Sequence, residues 1–316
     1  MLKTRVFYAL KPLVPRRLQL ELRRRMVLHG KTIYASTWPI DTAAARPPTG
    51  WNGWPGGKRF ALVLTHDVEH FFGQRKCLEL ARLEEVRGFR SSFNFVPERY
   101  PVSKALHKSL RSMGFEIGVH DYNHDGKLFS SERLFDLRAK AINRYLAEWS
   151  ATGFRSGAMH HNLEWIGRLD IEYDCSTFDT DPFEPQPDGV RTIFPFQVNT
   201  KGSPKEYVEM PYTLPQDFTL YVLMKEEGPT IWKRKLDWVA ANGGMALVNV
   251  HPDYMSFDGS RRGLEQYPAS HYIDLLDYAY SKYGGEYWQV LPSELAHFWS
   301  KIRHKIRNVK TEAGAS

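Results

Sequence analysis

The sequence contains little cysteine and no long apolar run, and these absences exclude several classes of protein. Two cysteines among 316 residues cannot build a disulfide framework, and the apolar surroundings of Cys77 and Cys175 predict buried free thiols. No run of about 18 apolar residues occurs, so we expect no transmembrane helix. The charged N-terminal segment is not followed by the apolar stretch of a signal peptide, which predicts a cytoplasmic location.

The positive charge of the chain is concentrated at its N-terminus. The net charge is +7, and residues 1–25 hold eight basic side chains against one acidic side chain, Glu21, which accounts for the whole excess. The remaining chain is near neutral, whereas a nucleic-acid-binding domain carries its basic residues over the binding face. We therefore expect no nucleic-acid partner.

Residues 1–30 have the pattern of a basic amphipathic helix. Leu18, Leu22 and Met26 are spaced by four and predict one apolar stripe. Two interpretations remain open. The stripe could contact anionic lipid, as a peripheral attachment to the inner face of the membrane, or the helix could pack on the main domain with a solvated basic face. An irregular connection rich in proline and tryptophan follows over residues 31–58.

From residue 59 onward, strand-like and helix-like segments alternate. The apolar run Phe60–Leu64 predicts a strand that is buried on both faces. Further strands are predicted near 92–96, 115–119, 153–156, 171–175, 207–210, 245–250 and 287–291. Helices are predicted near 74–87, 102–113, 131–149, 229–242, 271–283 and 292–305. This alternation indicates parallel β/α units and favours an α/β fold, a distorted (β/α) barrel of about seven parallel strands over residues 59–305. We expect residues 306–316 to be a disordered tail.

Acidic and imidazole side chains follow three of the predicted strands. Asp67 and Glu69 lie two apart in an extended segment, so they point to the same side. His120 and His124 are four apart, and two histidines at this spacing on one helical turn share a face and can bind one metal ion. His251 follows a later apolar strand. Because the carboxyl ends of parallel strands meet at one edge, we expect a mononuclear metal site there with an acid and a base beside it.

The assignment of the ligands is open at this point. One of the two carboxylates could bind the metal while the other acts as a base. His66 and His70 flank Asp67 and could be additional ligands, although adjacent residues of a strand point to opposite sides. The pair His160-His161 is better explained as part of a polar loop. The ligand types favour zinc, and cobalt, nickel or manganese would fit similar ligands.

These motifs resemble those of the polysaccharide deacetylase family with the NodB homology domain, also called carbohydrate esterase family 4. Thr65–Glu69 resembles the T-F-D-D-G motif in its D-x-D form, and His120-x3-His124 resembles the H-x-x-x-H/S motif. Phe154–Gly157 resembles the R-P-P-Y/F-G motif without its prolines, and Asn249–Asp253 resembles the final L-L-H-D motif. The resemblance spans about 60–295, in the order of the family.

The resemblance implies a reaction and roles for individual residues. It implies hydrolysis of an N-acetyl, less often an O-acetyl, group on a sugar. The metal ligands would be Glu69, His120 and His124. Asp67 would be the catalytic base, Arg155 would orient it, and His251 would act as the general acid. Ionised Asp67 and protonated His251 together imply a bell-shaped dependence of rate on pH.

Several finer expectations follow. Asp253 or another acid would raise the pKa of His251, and backbone N–H groups near Tyr122-Asn123 would help hold the oxyanion. The expected partner is an acetylated saccharide, nucleotide-linked or lipid-linked, in surface polysaccharide metabolism. Two alternatives remain. The same barrel could hydrolyse a non-sugar amide or ureide, or the protein could be a catalytically degenerate glycan-binding protein.

Overall fold

The structure is a computed structural model that describes residues 15–200, 205–258 and 263–313, with side chains up to residue 302. The strands in these residues are β1 Phe60–Val68, β2 Ser92–Phe95, β3 Glu116–His120, β4 Gly153–Arg155, β5 Tyr173–Asp174, β6 Phe196–Asn199, β7 Glu206–Glu209, β8 Met245–Val250, β9 Met255–Ser256, β10 Tyr267–Pro268 and β11 Tyr287–Gln289. The α-helices are α1 Arg16–Ile33, α2 Phe71–Gln74, α3 Cys77–Glu85, α4 Lys104–Ser112, α5 Glu132–Glu148, α6 Leu163–Ile166, α7 Thr230–Ala241, α8 Ser270–Tyr283 and α9 Pro292–Ala313.

Seven parallel strands form the curved sheet of a distorted barrel. They pair in the order β8-β1-β2-β3-β4-β5-β7. The chain after β7 then approaches β8, because the backbone N–H groups of Thr213 and Leu214 both donate to the carbonyl of Leu247 at 3.1 Å. The predicted (β/α) barrel of about seven parallel strands is confirmed. In addition, β11 runs parallel to the start of β1, and β6 runs antiparallel to β7.

The register of the strands aligns the polar residues that follow the apolar runs. Strand β1 is buried along all nine residues and pairs on both sides, as its continuous apolar start predicted. Asp67 lies opposite Asn94 of β2, and Thr65 lies opposite Asn249 of β8. His120 at the end of β3 lies opposite Arg155 of β4. The carboxyl ends of these strands therefore meet at one edge of the barrel.

Most of the predicted helices are present, with boundaries set by local caps. Ser131 begins α5, since its hydroxyl accepts from Leu134 N at 3.3 Å. The helix predicted over 74–87 is divided into α2 and α3 at Lys76, whose ammonium donates to the carbonyls of Asp253 and Met255. That long-range contact has no signature in the local sequence.

Several short elements were not predicted, and two of them lie next to the main sheet or the site. Strand β6 is a short, partly exposed antiparallel strand, and its Phe-Gln-Val-Asn sequence has no apolar run. The segment Phe218–Leu223 is a π-helix whose residues Thr219–Leu223 are all buried. Because this segment is buried on every side, it lacks the periodic pattern that identifies a helix.

Helix α1 has two opposite apolar faces. Leu20, Val27 and Gly30 are buried against the barrel, whereas Leu18, Leu22 and Met26 are exposed. The predicted stripe is therefore not the face that packs on the main domain. Of the helical segment predicted over 1–30, residues 1–14 lie outside the described residues.

The connection after α1 packs against the barrel through aromatic rings. The ring centroids of Trp51 lie 4.6 Å from those of Trp54 and 5.1 Å from those of Trp299 in α9. The indole of Trp54 donates to the carbonyl of Gly243 at 2.8 Å. The irregular segment before residue 59 is thus part of the packed structure.

The remaining sequence expectations can be compared directly with the structure. Cys77 and Cys175 are buried free thiols, as predicted. Helix α9 continues to residue 313, past the predicted end near 305 and into the segment expected to be disordered. Among the described residues, no helix combines the length and apolarity needed to cross a membrane.

A buried ion pair joins the connection to the barrel and predicts a large effect on stability. Lys235 Nζ donates to Pro39 O and to Asp179 Oδ2, both at 2.5 Å. We expect Lys235→Met to lower the free energy of unfolding by about 3–5 kcal/mol, because it leaves Asp179 buried without its partner. Denaturant unfolding would measure this loss. Lys140→Met, on the exposed face of α5, should change stability by about 0.5 kcal/mol or less. Equal effects of the two substitutions would contradict the prediction.

Candidate metal centre and active site

The carboxyl ends of β1, β3 and β8 bring the predicted site residues together. Glu69 follows β1 directly, His120 ends β3, and His251 follows β8. The His251 Nε2 atom lies 3.8 Å from Glu69 Oε1 and 3.9 Å from Asp67 Oδ2. His120 Nε2 also lies 3.9 Å from Asp67 Oδ2. These four side chains, from segments far apart in the sequence, therefore face one space.

Glu69, His120 and His124 form the group that could hold a metal ion. Each offers one ligand atom, and these atoms all lie within 4.8 Å of one another. His124 Nε2 faces Glu69 Oε1 at 3.2 Å, and the imidazole rings of the two histidines are 4.9 Å apart. Two imidazole nitrogens and one carboxylate are a common ligand set for a catalytic zinc ion, which keeps a further position for water.

The tautomer of His120 supports a ligand role. Its Nδ1–H donates to the carbonyl of Arg155 at 3.1 Å, so Nε2 carries the lone pair that faces the site. That Nε2 is buried and has no hydrogen-bond partner among the described residues. Burial also lowers the pKa of His120, which keeps the imidazole neutral. The residues present therefore fit a divalent cation.

Gly157 packs closely against the imidazole of His124. A Cβ atom on Gly157 would lie 2.4 Å from Asp121 Oδ2 and 3.1 Å from His124 Cδ2. The backbone at His124 is itself in the left-handed region, with φ 57°. His120 and His124 are therefore joined by a turn rather than by a helix, although their spacing of four was read as a helical one. The tight approach of the Phe154–Gly157 segment fixes this turn.

Asp67 is buried and held by donors from three neighbouring strands. Its Oδ1 accepts from Asn94 Nδ2 at 3.1 Å, and its Oδ2 accepts from Asn249 Nδ2 at 2.9 Å. Arg155 Nη1 lies 3.5 Å from the same Oδ2. Burial alone would raise the pKa of Asp67, but the nearby positive charge, led by Arg155, outweighs it and holds the pKa well below its usual range. Asp67 is therefore ionised at neutral pH.

The role of Asn94 was not predicted from the sequence, although a glycine on the adjacent strand could have indicated it. A Cβ atom on Gly118 of β3 would lie 2.1 Å from Asn94 Oδ1. Only glycine leaves room for this amide beside Asp67. Asn249 begins the Asn249–Asp253 motif, but no local pattern assigns its amide to Asp67.

His251 is oriented by Asp217, a residue that no sequence motif indicated. The Nδ1 atom lies 2.7 Å from Asp217 Oδ1, and the backbone N–H of His251 donates to Asp217 Oδ2 at 2.8 Å. Burial alone would lower the pKa of His251, but Asp217, with smaller contributions from Glu69 and Asp67, raises it to about 10. The imidazole is therefore protonated at neutral pH, with Nε2 directed into the site.

The sequence left the acid beside His251 open, as Asp253 or another acid, and the geometry supports the second alternative, Asp217. Asp253 Oδ2 instead accepts from the backbone N–H of Glu69 at 2.9 Å. The hydroxyl of Tyr254 donates to Glu69 Oε2 at 3.0 Å. The segment after β8 thus positions Glu69, while the partner of His251 comes from the start of the π-helix.

The expected oxyanion donors are also corrected in part. The backbone N–H of Tyr122 donates to the carboxylate of Asp121 at 2.6 Å. This N–H is therefore occupied, and it is not available to a developing oxyanion unless the Asp121 side chain moves.

The other histidines considered as ligands lie outside the cluster. His66 is buried on the other face of β1, with Nε2 2.7 Å from Glu84 Oε1. His70 is half-exposed, and its Nδ1 lies 3.3 Å from Asp253 Oδ1. His161 faces Asp188 at 3.5 Å in a polar loop, as expected. The alternation of side chains along a strand explains the direction of His66.

Comparison with known proteins gives structural neighbours but no relatives by sequence. No protein-family model matches the chain, and no curated protein matches it. Among solved structures, a protein from Mycobacterium smegmatis described as a polysaccharide deacetylase has a TM-score of 0.58 at 17% identity, covering 82% of this chain and 95% of that one. A protein from Pseudomonas aeruginosa PAO1 with the same description has a TM-score of 0.59 at 16% identity, covering 84% and 98%. Puue allantoinase has a TM-score of 0.59 at 17% identity, covering 83% and 97%.

These similarities establish the fold. The chain has the NodB-like polysaccharide deacetylase fold, which the motifs of the sequence predicted. At these identities the similarity concerns the fold alone, and the chemistry has to be argued from the residues of this chain.

The metal centre predicts stoichiometric binding of a divalent ion. We expect the purified chain to bind about one zinc ion and His120→Ala to lose it, because a two-ligand site binds far more weakly than a three-ligand site. Titration calorimetry and elemental analysis would measure this. His161→Ala should bind metal like the unaltered chain, since His161 faces Asp188. Unchanged zinc content in His120→Ala would show that the cluster is not the metal site.

Proposed function

We propose that the protein is a metal-dependent hydrolase that removes an N-acetyl, or less often an O-acetyl, group from a sugar or glycan precursor. The proposal rests on one observation: a carboxylate with a lowered pKa and an imidazole with a raised pKa lie beside the candidate metal ligands. Asp67 is an acid held ionised, and His251 is an imidazole held protonated, and both lie within 4 Å of a Glu69/His120/His124 group. Hydrolysis of an unreactive amide requires such a base and such an acid.

Glu69, His120 and His124 would hold the ion in this proposal. A divalent cation bound there supplies a Lewis acid for the acetyl carbonyl and lowers the pKa of a nearby water. Zinc is the ion that the ligand types favour, and cobalt, nickel or manganese would suit them as well.

Asp67 acts as the base in the proposed reaction. It removes a proton from the water that attacks the acetyl carbon. Its donors, Asn94 and Asn249, fix both carboxylate oxygens, and Arg155 compensates the buried charge. Arg155 is itself held by the hydroxyl of Thr65, which accepts from Nη2 at 3.1 Å. A base held in this way needs no reorganisation before it reacts.

His251 acts as the acid. When the C–N bond breaks, its Nε2 proton goes to the departing amine nitrogen, because an amide anion is too basic to leave at neutral pH. Asp217 then stabilises the positive imidazole between turnovers. The products are acetate and a free amino sugar.

The rim of the site offers a surface that suits a sugar ring. Phe218 and Tyr254 are half-buried, and their ring centroids are 5.0 Å apart. Tyr254 is bonded to Glu69, so the two rings lie beside the proposed reaction centre. Flat apolar rings can pack on the C–H face of a sugar.

A second candidate is hydrolysis of a non-sugar amide or ureide. It is favoured by the similarity to Puue allantoinase, which matches the fold as well as the two proteins described as deacetylases do. A panel of N-acetylated sugars and cyclic ureides, assayed for acetate or ring opening, separates the two. Turnover of ureides alone would replace the deacetylase proposal.

The base predicts a loss of turnover without loss of metal. Asp67→Asn should lower kcat for acetate release from an N-acetylated sugar by about a factor of 10² to 10⁴, because the amide cannot accept the proton of water. It should keep the bound zinc. Asp136→Asn, which removes an exposed carboxylate paired with Arg168, is the matched control and should retain activity. Full activity of Asp67→Asn would contradict the assigned role.

The His251–Asp217 pair predicts where activity declines at high pH. The sequence predicts a bell-shaped dependence of rate on pH. Because the pKa of Asp67 is low and that of His251 is raised, we expect the rate to be nearly constant across neutral pH. The alkaline limb reports loss of the His251 proton, at about pH 10 or lower once a neighbouring cation disfavours the imidazolium. Asp217→Asn removes the anion that stabilises this proton, so the limb should move to lower pH.

The measurement is kcat/KM for acetate release against pH. Asp188→Asn is a suitable control, because it also removes a carboxylate that faces a histidine, His161, outside the cluster. The control should keep the limb of the unaltered chain. An alkaline limb that stays in place in Asp217→Asn would mean that His251 is not the group being titrated.

A further inference from the structure

Helix α1 presents an apolar stripe to solvent on the side opposite to the barrel. Leu18 is 49% exposed, Leu22 51%, Met26 73% and Ile33 60%. These positions share one face of the helix, whereas Leu20 and Val27 fill the opposite face and are buried. The packing of α1 on the barrel therefore does not explain its outward apolar residues.

The same helix lies at the rim of the candidate active site. The Arg16 guanidinium donates to Glu265 Oε2 at 2.8 Å. Arg24 Nε donates to the carbonyl of Val222 in the π-helix at 3.0 Å. Arg23 lies over the ring of Phe218, which contacts Tyr254 beside Glu69. These contacts place α1 beside Phe218 and Tyr254, the aromatic rings next to Glu69.

Other exposed apolar side chains lie near the same rim. Phe71 and Phe72 begin α2, directly after His70, and are 48% and 70% exposed. Leu264 adjoins Glu265, the partner of Arg16. Of the twelve large apolar side chains that are exposed among the described residues, nine lie on α1 with its C-cap Tyr34, on α2, or at Leu264. The large exposed apolar side chains of the described residues are thus concentrated on α1 and on segments that adjoin Glu69 or the partner of Arg16.

The charges on α1 indicate what covers the stripe. The helix carries six basic side chains and one acidic side chain, Glu21. Arg25 pairs with Glu21, and Arg16 and Lys31 pair with Glu265 and Glu226 of the main domain, so the helix with these partners keeps an excess of three positive charges. Arg17 is exposed. Two copies of this face would bring like charges together, whereas an anionic surface would be attracted. An apolar stripe beside arginines is the pattern of a helix that lies in the headgroup region of an anionic bilayer.

We propose that α1 docks on an anionic lipid bilayer and that the opening of the active site then faces the membrane. The substrate of the reaction proposed above is accordingly a saccharide carried on a lipid anchor that stays in the bilayer. The docking itself rests only on α1, and the identity of the substrate rests also on the proposed hydrolase function.

Binding to vesicles tests the docking. The full chain should sediment with vesicles of phosphatidylcholine mixed with phosphatidylglycerol, and much less with phosphatidylcholine alone or at high salt. The triple variant Leu18→Glu, Leu22→Glu, Met26→Glu should reduce the partition coefficient by about a factor of 10² or more, since it removes the inserted apolar area and adds repulsion.

A matched control separates docking from general changes in charge. Val86→Glu, Leu137→Glu and Tyr280→Glu change three exposed apolar residues elsewhere, with the same change in net charge. This variant should bind the anionic vesicles nearly as the unaltered chain does. Equal binding by the two triple variants would overturn the proposal. So would a concentration-dependent dimer that the α1 variant abolishes while vesicles are not bound.

Activity measurements distinguish failure of docking from failure of the proposed reaction. The probes are one N-acetylated amino sugar on a long-chain lipid in anionic vesicles, and the same sugar on a short soluble aglycone. The α1 variant should lose about tenfold or more of its acetate release from the vesicle substrate and keep its rate on the soluble one. Vesicle binding with no acetate from either substrate would leave the docking standing and overturn the deacetylase. Equal turnover of the vesicle substrate by the α1 variant and the unaltered chain would overturn the link between the membrane and the substrate.

Discussion

The candidate site depends on the burial of one ionised carboxylate, that of Asp67, at the edge of a parallel barrel. A buried charge is costly unless neighbouring groups compensate it. Here β2 supplies Asn94, β8 supplies Asn249, and β4 supplies Arg155, so three other strands of the barrel each contribute one donor or charge. The register of the sheet, which places these groups around Asp67, therefore also keeps this proposed base ionised. A slip of one residue in β1 would turn Asp67 to the opposite face and leave His66 in the site.

The side chains around this carboxylate have different protonation states, and each state is set by a different neighbour. Asp67 is kept charged by cations, and His251 is kept charged by Asp217 on the side away from Asp67. Between them, the neutral imidazole of His120 directs a free Nε2 toward Glu69 and His124. An acid, a base and a ligand group each keep a different protonation state within a few ångströms, which is the arrangement required for hydrolysis of an amide. The fold similarity is consistent with the proposed chemistry, which rests on the side chains of this chain.

Helix α1 contacts the barrel with one face and exposes apolar side chains on the opposite face. It packs through Leu20 and Val27, holds the rim through Arg16 and Arg24, and leaves Leu18, Leu22 and Met26 outward. The sequence pattern left two interpretations, packing on the barrel and contact with lipid. In the structure the helix packs on the barrel with a face other than the predicted stripe. Packing on the barrel and contact with lipid are therefore compatible.

The sequence by itself determined the β/α alternation, the strand β1, and the identity of Asp67, Glu69, His120, His124, Arg155 and His251 as candidates, because apolar runs and short motifs are local features. It could not decide which acid lies beside His251, since Asp217 is 34 residues away and immediately precedes a π-helix that has no periodic signature. It also could not find Asn94, or the space that Gly118 leaves for it, because that contact joins adjacent strands. The motifs implied Glu69 rather than Asp67 as the metal ligand, but only the tertiary structure shows that Glu69 lies with the two imidazoles, because it fixes the distances and neighbouring charges on which ligand binding and ionisation depend.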